Sequence, residues 1–375
     1  MKQGFVIRQS IHIYATNVAG VGATRLVQSL LPELERSIGG ASLCIHLPNR
    51  GELSTYQPVR DDTVVSQYIR RMPNSISRFF ECLWFSRQFD RNDVVIVLGD
   101  IPLRCSARQT VFVHTPNVLA ARERFDFSFD GLKYWMSRLI FRINQSCAQA
   151  YIVQSEVMRE ALVRTYPNLE GRVHVLLQPA PQWMLSNSLV RQESFRQVGA
   201  NLKLFYPAAN YPHKNHSLLS SLPRSAEALP IDRLVLTIDQ SINPAPRVSW
   251  VQCAGLLTTD EMADAYLDSD ALVFLSKKES YGLPLVEAMY VGKPIVCPDL
   301  PYARFLCEDQ AIYFCPDDPN SLLGAIDELR RRIDSGSRIG VWRLQRFQVA
   351  GQRLEIGYLI FLMSIHEMRD SHCCY

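Results

Sequence analysis

Two glutamates, Glu279 and Glu287, bracket the turn Ser-Tyr-Gly-Leu-Pro in a stretch that opens with the apolar run ALVFLS (271–276). Strand, turn and helix start follow one another there. Gly282 permits a tight backbone turn, and Pro284 suits the first turn of a helix, where its missing N–H leaves nothing unpaired. Free amides and the positive end of the helix dipole make such a junction an anion site. Glu279 is expected before the loop and Glu287 inside the first helical turn, so that the two carboxylates flank the anion. Acids at a helix start also serve as plain dipole partners, so the turn alone does not name a ligand.

A second group of candidates lies in YPAANYPHKN (206–215). Lys214 is expected at the carboxyl edge of a strand, where an ammonium can neutralise the charge of an anionic ligand; the plainer alternative is a solvated loop lysine. His213 and His216 read as loop and capping residues. In the first half, NVAGVG (17–22) joins the run IHIYA to a helix expected near Ala23, which makes Gly20 and Gly22 candidates, although glycine turns of this kind are common. His114 ends the run TVFVH before Thr-Pro-Asn and is either structural or part of a site. Asp100, after VVIVLG, reads as a turn or cap acid.

These residues need a scaffold that brings strand ends together. Short β-branched runs bounded by turn residues alternate with helical patterns: IHIYA, VVIVLG, TVFVH, AYIVQS and RVHVLL in the first half, then KLFYPA, RLVLTI, SWVQCAG, ALVFLS and KPIVCP. Apolar strands separated by helices predict parallel sheets covered on both faces, an α/β chain of doubly wound type. At 375 residues the chain is long enough for two such domains. The Pro-, Ser-, Asn- and Gln-rich stretch 178–201 marks the boundary: an N-terminal Rossmann-like domain over 1–185, a C-terminal one over 186–345, and a final segment 346–375. Two doubly wound domains in tandem are expected to face a cleft lined by carboxyl strand edges.

The segment from Val251 to Leu329, AGLLTTDEMADAYLDSDALVFLSKKESYGLPLVEAMYVGKPIVCPD and later FCPDDPNSLLGAIDEL, resembles the C-terminal domain of family-four (group 1) retaining glycosyltransferases of the GT-B fold. Their signature is Glu-x7-Glu, then Ala-Met and Gly-x-Pro. The resemblance implies that Glu279 faces the donor sugar and that Glu287 hydrogen-bonds the ribose. It places Ser280 and the amides of Tyr281, Gly282 and Leu283 at the diphosphate, and Leu256 beside the base. Lys214 matches the phosphate lysine, Gly20 and Gly22 the glycine loop, and His114 a histidine near the sugar. The arginine often found about five positions before the lysine is missing: Ala208, Ala209 and Asn210 stand there, which leaves Lys214 alone or assisted by Lys277 or Lys278. WRLQRFQVAGQRLEIGYLIFLMSIHEMRDSHCCY departs from the family's usual final helix.

The activity so implied is transfer of a sugar from a GDP- or UDP-linked donor to an acceptor hydroxyl, with retention and without a metal or other cofactor. A saccharide or lipid-linked saccharide in bacterial surface-polysaccharide synthesis is the expected acceptor, and no nucleic-acid partner is expected. A sugar-nucleotide epimerase, a phosphorylase and a catalytically silent partner subunit remain alternatives; a nicotinamide dehydrogenase is disfavoured because no Gly-x-Gly-x-x-Gly stands in the right place.

The ten cysteines are scattered, with one adjacent pair, Cys373-Cys374, and show no metal-ligand spacing, the usage of a reducing cytosol. Residues 1–190 carry 21 Lys and Arg against 15 Asp and Glu, while 191–375 carry 19 against 22, so the basic excess lies in the first half. SISRFFECLWFSRQF (75–89) and KYWMSRLIFRI (133–143) interleave Arg with aromatics, as either core-packing helices or a face at a bilayer surface. Without a long apolar run or a cleavable leader, the expectation is a cytoplasmic protein in peripheral contact with the inner membrane.

Overall fold

The computed structural model describes residues 10–18, 21–38, 41–69, 74–119, 129–178, 184, 201–227 and 229–336. Gly20, most of the proposed boundary stretch and the final segment 346–375 lie outside the described residues. The chain divides into two compact units that meet in sequence at Gln178/Pro179.

In the first unit the strands are β1 (Ser10–Tyr14), β2 (Ser42–Pro48), β3 (Val64–Tyr68), β4 (Val94–Val97), β5 (Arg108–Val113), β6 (Ala150–Val153) and β7 (Val173–Val175). They form one sheet in the order β3-β2-β1-β4-β5-β6-β7. The second unit orders β8 (Leu202–Tyr206), β9 (Ile231–Leu236), β10 (Val251–Cys253), β11 (Ala271–Val273), β12 (Ile295–Pro298) and β13 (Ile312–Phe314) as β10-β9-β8-β11-β12-β13. All described pairings are parallel. Each order reverses once, between β1 and β4 and between β8 and β11. At such switch points crossovers leave in opposite directions and the loops after the strands splay apart, so ligands bind there.

Side-chain alternation divides the first sheet's two faces. Ile13, Leu43, Ile45, Leu47 and Ile96 point into one core with Val27, Leu31 and Leu34 of helix α1 (Val21–Ser37). Tyr14, Val95, Val97, Val111, Val113 and Tyr151 point into the other, with Cys82 of α2 (Asn74–Leu83), Phe141 of α3 (Phe129–Asn144) and Met158 and Leu162 of α4 (Glu156–Thr165). Emptying one such buried position, for example Leu34→Ala, removes roughly 2–5 kcal/mol.

Among the described residues thirteen strands stand against the ten apolar runs of the sequence. β2 and β3 were missed because their patterns are those of half-exposed strands: SLCIHLP alternates buried and half-exposed residues, and VVSQY has none fully buried. β13 is only three residues long.

Candidate active site

The second unit assembles its charged residues at the β8/β11 switch point. β8 ends at Tyr206, and the loop after it closes in a short 3-10 turn, Pro212–Lys214, followed by Asn215 in the left-handed region at φ 57°. Two contacts fix the backbone of that turn. The Tyr206 hydroxyl donates to the Lys214 carbonyl at 2.6 Å, and the loop after β11 reaches across, with Lys277 N–H donating to the His213 carbonyl at 2.8 Å and Ser276 Oγ at 3.2 Å. Tyr302, in helix α7 (Pro301–Cys307), braces the second loop by donating to the Ser276 carbonyl at 2.5 Å. With both backbones pinned, Lys214 Nζ meets Glu279 Oε1 at 2.5 Å and lies 5.6 Å from the centroid of the Phe274 ring. Both charged side chains are about 15% exposed, Lys214 15% and Glu279 14%, so the pair is screened yet reachable.

Burial, and after it the charge of Glu279, pushes the Tyr206 and Tyr302 hydroxyls well above the ordinary tyrosine value, so both remain donors. His216 packs on Tyr206, with ring centroids 5.1 Å apart, and burial followed by the nearby Lys214 charge holds it down at about 4. His213 stacks on Tyr211 and is lowered chiefly by burial. Both imidazoles are therefore neutral near pH 7. Lys277 turns to Asp317, Nζ to Oδ1 3.0 Å, and Lys278 is exposed, so neither is the partner of Glu279.

After Glu279 the chain enters helix α6 (Leu283–Tyr290) through Gly282 at φ 107°. A Cβ there would lie 3.2 Å from Leu285 Cδ1 on a backbone that side chains resist, which makes glycine the residue that fits. Ser280 and Leu283 are half-buried, and the Tyr281 side chain is 2% exposed and packs in the core, so what Tyr281 offers a ligand is backbone. Glu287 lies in the second turn of α6, not the first, because the helix starts only at Leu283 and its first turn carries no acid. The carboxylate is buried and accepts a 2.6 Å hydrogen bond from Tyr266 of helix α5 (Thr259–Asp268), whose start is fixed by a capping box between Thr258 and Glu261. Leu256, in the loop after β10, is 82% exposed.

The first unit has its own cluster at the β1/β4 switch point. Asp100, in the left-handed region at φ 65°, follows β4 and accepts hydrogen bonds from His114 N–H (2.7 Å), Thr115 N–H (3.1 Å) and Thr115 Oγ1 (3.0 Å). Its Oδ1 is also 3.3 Å from His114 Nδ1. Asp100 is thus the turn acid expected, and it fixes the backbone of His114. Gly22 lies inside the first turn of α1 rather than in the loop before it, with open space where a side chain would stand.

Two residues of this edge were missed from sequence. Arg78 donates to the Gly99 carbonyl at 2.8 Å and lies 3.5 Å from Glu81, which accepts from the hydroxyls of Tyr14 (2.7 Å) and Thr16. Both are buried, Arg78 5% and Glu81 0% exposed. The available signal was an Arg and a Glu three positions apart on the apolar helix ISRFFECL, a spacing that puts them on one face.

The family of glycosyl transferases group 1 matches residues 251–332, the stretch that carries Glu279, Gly282 and Glu287. That stretch is a group 1 glycosyl transferase segment, and the fold is that of GT-B glycosyltransferases. The chain is 20% identical over 263 residues to the O-antigen chain mannosyltransferase RfbU of Salmonella typhimurium, covering 65% of this chain and 69% of that protein. In fold the chain is similar to sucrose-phosphate synthase from Thermosynechococcus elongatus, at TM-score 0.66 and 15% identity over 96% of this chain and 100% of the other. It is also similar to HepE of Anabaena, solved with UDP-glucose, at TM-score 0.63 and 16% identity over 94% and 99%.

Proposed function

We propose that this transferase moves a hexose from a GDP- or UDP-linked donor to a hydroxyl of a saccharide or lipid-linked saccharide, with retained anomeric configuration, in surface-polysaccharide synthesis. The observation that carries the reading is the Lys214–Glu279 pair beside the α6 N-terminus, at the switch point of the unit that holds the group 1 segment. In the reading, the amides at Gly282 and Leu283 and the Lys214 ammonium hold the diphosphate, with Ser280 and the Tyr281 backbone beside it. Glu279 takes a hydroxyl of the donor sugar, Glu287 the ribose and Leu256 the base. His114 and the glycine turn at Gly20 and Gly22 are assigned to the sugar and diphosphate by the same resemblance. The bond from the anomeric carbon to the leaving oxygen breaks, and the acceptor oxygen bonds to that carbon on the same face. The acceptor proton passes to the diphosphate, whose charge Lys214 and the helix end stabilise. A cation and a helix dipole do here what a metal does elsewhere, so the reading needs no metal.

Support for the donor and acceptor classes comes from similar proteins: HepE binds UDP-glucose, and RfbU is an O-antigen chain mannosyltransferase. The deciding experiment is a thermal-shift screen of UDP-, GDP- and ADP-sugars, followed by NMR of the product's anomeric centre. One donor should raise Tm and give a retained glycoside. An inverted product, or no stabilisation by any of these sugars, removes the proposal.

The reading includes contact with the inner membrane from its cytoplasmic side. No helix among the described residues is long and apolar enough to cross a bilayer. On α3, however, Leu132 (51%), Trp135 (43%), Leu139 (37%) and Ile143 (44%) form an exposed apolar stripe at helical spacing, with Lys133 and Arg142 exposed beside it. The basic flank favours an anionic lipid surface as the partner of the stripe.

A further inference from the structure

We propose that His12, Cys44 and His46 form a binding site for a late first-row divalent cation, with zinc as its occupant, on the sheet of the first unit. Nothing in the transferase reading requires it, and the proposal stands or falls independently of that reading.

The three side chains come from two adjacent strands and share one face. Alternation sends Ile13, Leu43, Ile45 and Leu47 into the core beneath α1, which leaves His12, Cys44 and His46 on the opposite face. The parallel register sets His12 directly beside Cys44, and His46 beside Tyr14. All three are half-buried, and their ligand atoms lie within 4.8 Å of one another. The ladder itself therefore holds the Cα positions, so a cation needs no loop to reorganise around it.

Distances sharpen the case. His12 Nδ1 and His46 Nε2 are 3.2 Å apart. Two imidazole nitrogens bound at about 2.0–2.1 Å to a tetrahedral zinc ion stand roughly 3.3 Å from one another, so the pair already has close to the spacing the ion imposes. A thiolate bound at about 2.3 Å to the same ion stands roughly 3.5 Å from each nitrogen, and the Cys44 sulfur already lies within 4.8 Å of both. The other nitrogen of His12, Nε2, lies 3.6 Å from Asp93 Oδ1, so a small approach of the two on metal binding would complete the carboxylate–histidine pair that orients such a ring at metal sites. Asp93 is held in turn by the Asp90 N–H on its Oδ2 at 3.0 Å. Phe89 walls the cluster, with its centroid 4.9 Å from that of His12 and 5.5 Å from that of His46; with three protein ligands, the fourth position of a tetrahedral ion would fall to water.

Two imidazoles and one thiol make a borderline-soft donor set. It suits zinc or cobalt and rejects magnesium, calcium and manganese, which prefer oxygen. Binding turns the Cys44 thiol into a thiolate and releases its proton to solvent. Sequence spacing did not reveal the site because its ligands lie on neighbouring strands, separated by the whole of α1.

The test uses full-length protein carrying Cys373→Ser and Cys374→Ser, since those adjacent thiols bind soft cations themselves. Cobalt(II) chloride is titrated under reducing conditions. The expected result is one equivalent bound, with tetrahedral d–d absorption and a thiolate charge-transfer band, displaced by zinc and not by magnesium. Cys44→Ser should abolish the charge-transfer band, His46→Ala should weaken binding at least about tenfold, and Asp93→Asn about 10–100-fold. A hundredfold excess of zinc over its dissociation constant should raise Tm by roughly 5–10 °C. Absence of a saturable equivalent in the background protein, which needs no further variant, overturns the site and leaves a plain histidine–histidine hydrogen bond. Equal cobalt binding and an unchanged spectrum in Cys44→Ser overturn it as well.

Discussion

Lys214 Nζ and Glu279 Oε1 stand 2.5 Å apart, charges separated by 65 residues of chain and joined at one switch point. If the ammonium meets the leaving diphosphate more strongly as the glycosidic bond breaks, its loss falls on the chemical step. Lys214→Ala should lower kcat by roughly two to three powers of ten, with a smaller change in donor affinity. Lys214→Arg should recover part of this, because a planar fork does not replace a point charge. The pair also predicts a stability pattern. Lys214→Ala strands a half-buried carboxylate and lowers Tm, and adding Glu279→Gln should restore Tm without restoring turnover. A near wild-type rate for Lys214→Ala would move the catalytic cation elsewhere.

Glu287 and Glu279 should separate kinetically. Glu287→Ala should weaken binding of the free nucleotide by about 1.5–3 kcal/mol, the worth of a charged hydrogen bond, whereas Glu279→Gln should spare nucleotide affinity and depress turnover. Tyr266→Phe, which removes the 2.6 Å bond to Glu287, should raise the donor KM severalfold with little change in kcat. Calorimetric titration with free nucleotide checks the first claim; unchanged affinity in Glu287→Ala would contradict it.

Chelation is expected to leave transfer intact. After dialysis against EDTA, initial rates at a temperature well below Tm should match those of untreated enzyme, and manganese should not stimulate them. Loss of activity with manganese rescue would replace the mechanism. Removal of zinc from the first unit should appear instead as a lowered Tm.

His216 gives a pH prediction. Its folded value of about 4 lies below the unfolded 6.5, so its contribution to stability is complete above pH 6.5. Between pH 6.5 and about 4 the unfolded chain takes up the proton first, and stability falls with a limiting slope of about 1.4 kcal/mol per unit. Denaturant melts of the wild type and His216→Phe should diverge in slope across that window and run parallel above it. Parallel curves throughout would show that the ring is not held neutral.

The α3 stripe predicts sedimentation with vesicles containing phosphatidylglycerol and not with neutral ones. Trp135→Glu with Leu139→Glu should abolish it while leaving turnover on a soluble acceptor unchanged. Equal sedimentation by this double variant would exclude α3 as the contact.

Much of the second unit was legible because its signals are local. A glycine before Pro284, an apolar strand before Glu279 and a lysine after β8 each occupy one short window, and the switch-point rule then brings the strand ends together. What was not legible depends on contacts across the sheet. Tyr266 reaches Glu287 from another helix, Arg78 and Glu81 are buried beneath strand ends distant in sequence, and the His12 cluster needs a register that no spacing reveals. The misplacement of Glu287 came from counting the turn as helix, where Gly282 takes the left-handed conformation and delays the helix start.

Every described strand pairing is parallel, and this governs how the molecule must fold. A parallel pair cannot close through a hairpin, because each waits for its crossover. The longest waits fall at the switch points: Ile11 pairs with Val94 and Leu204 with Ala271, the widest sequence gaps in their sheets. Loop closure costs most there, so these pairings are expected to form late and to slow the approach to the native state. Lys214 and Glu279 stand on the two sides of the second junction and come together only when it closes. During refolding from denaturant, nucleotide binding should therefore recover with the slowest phase, after most helical signal has returned.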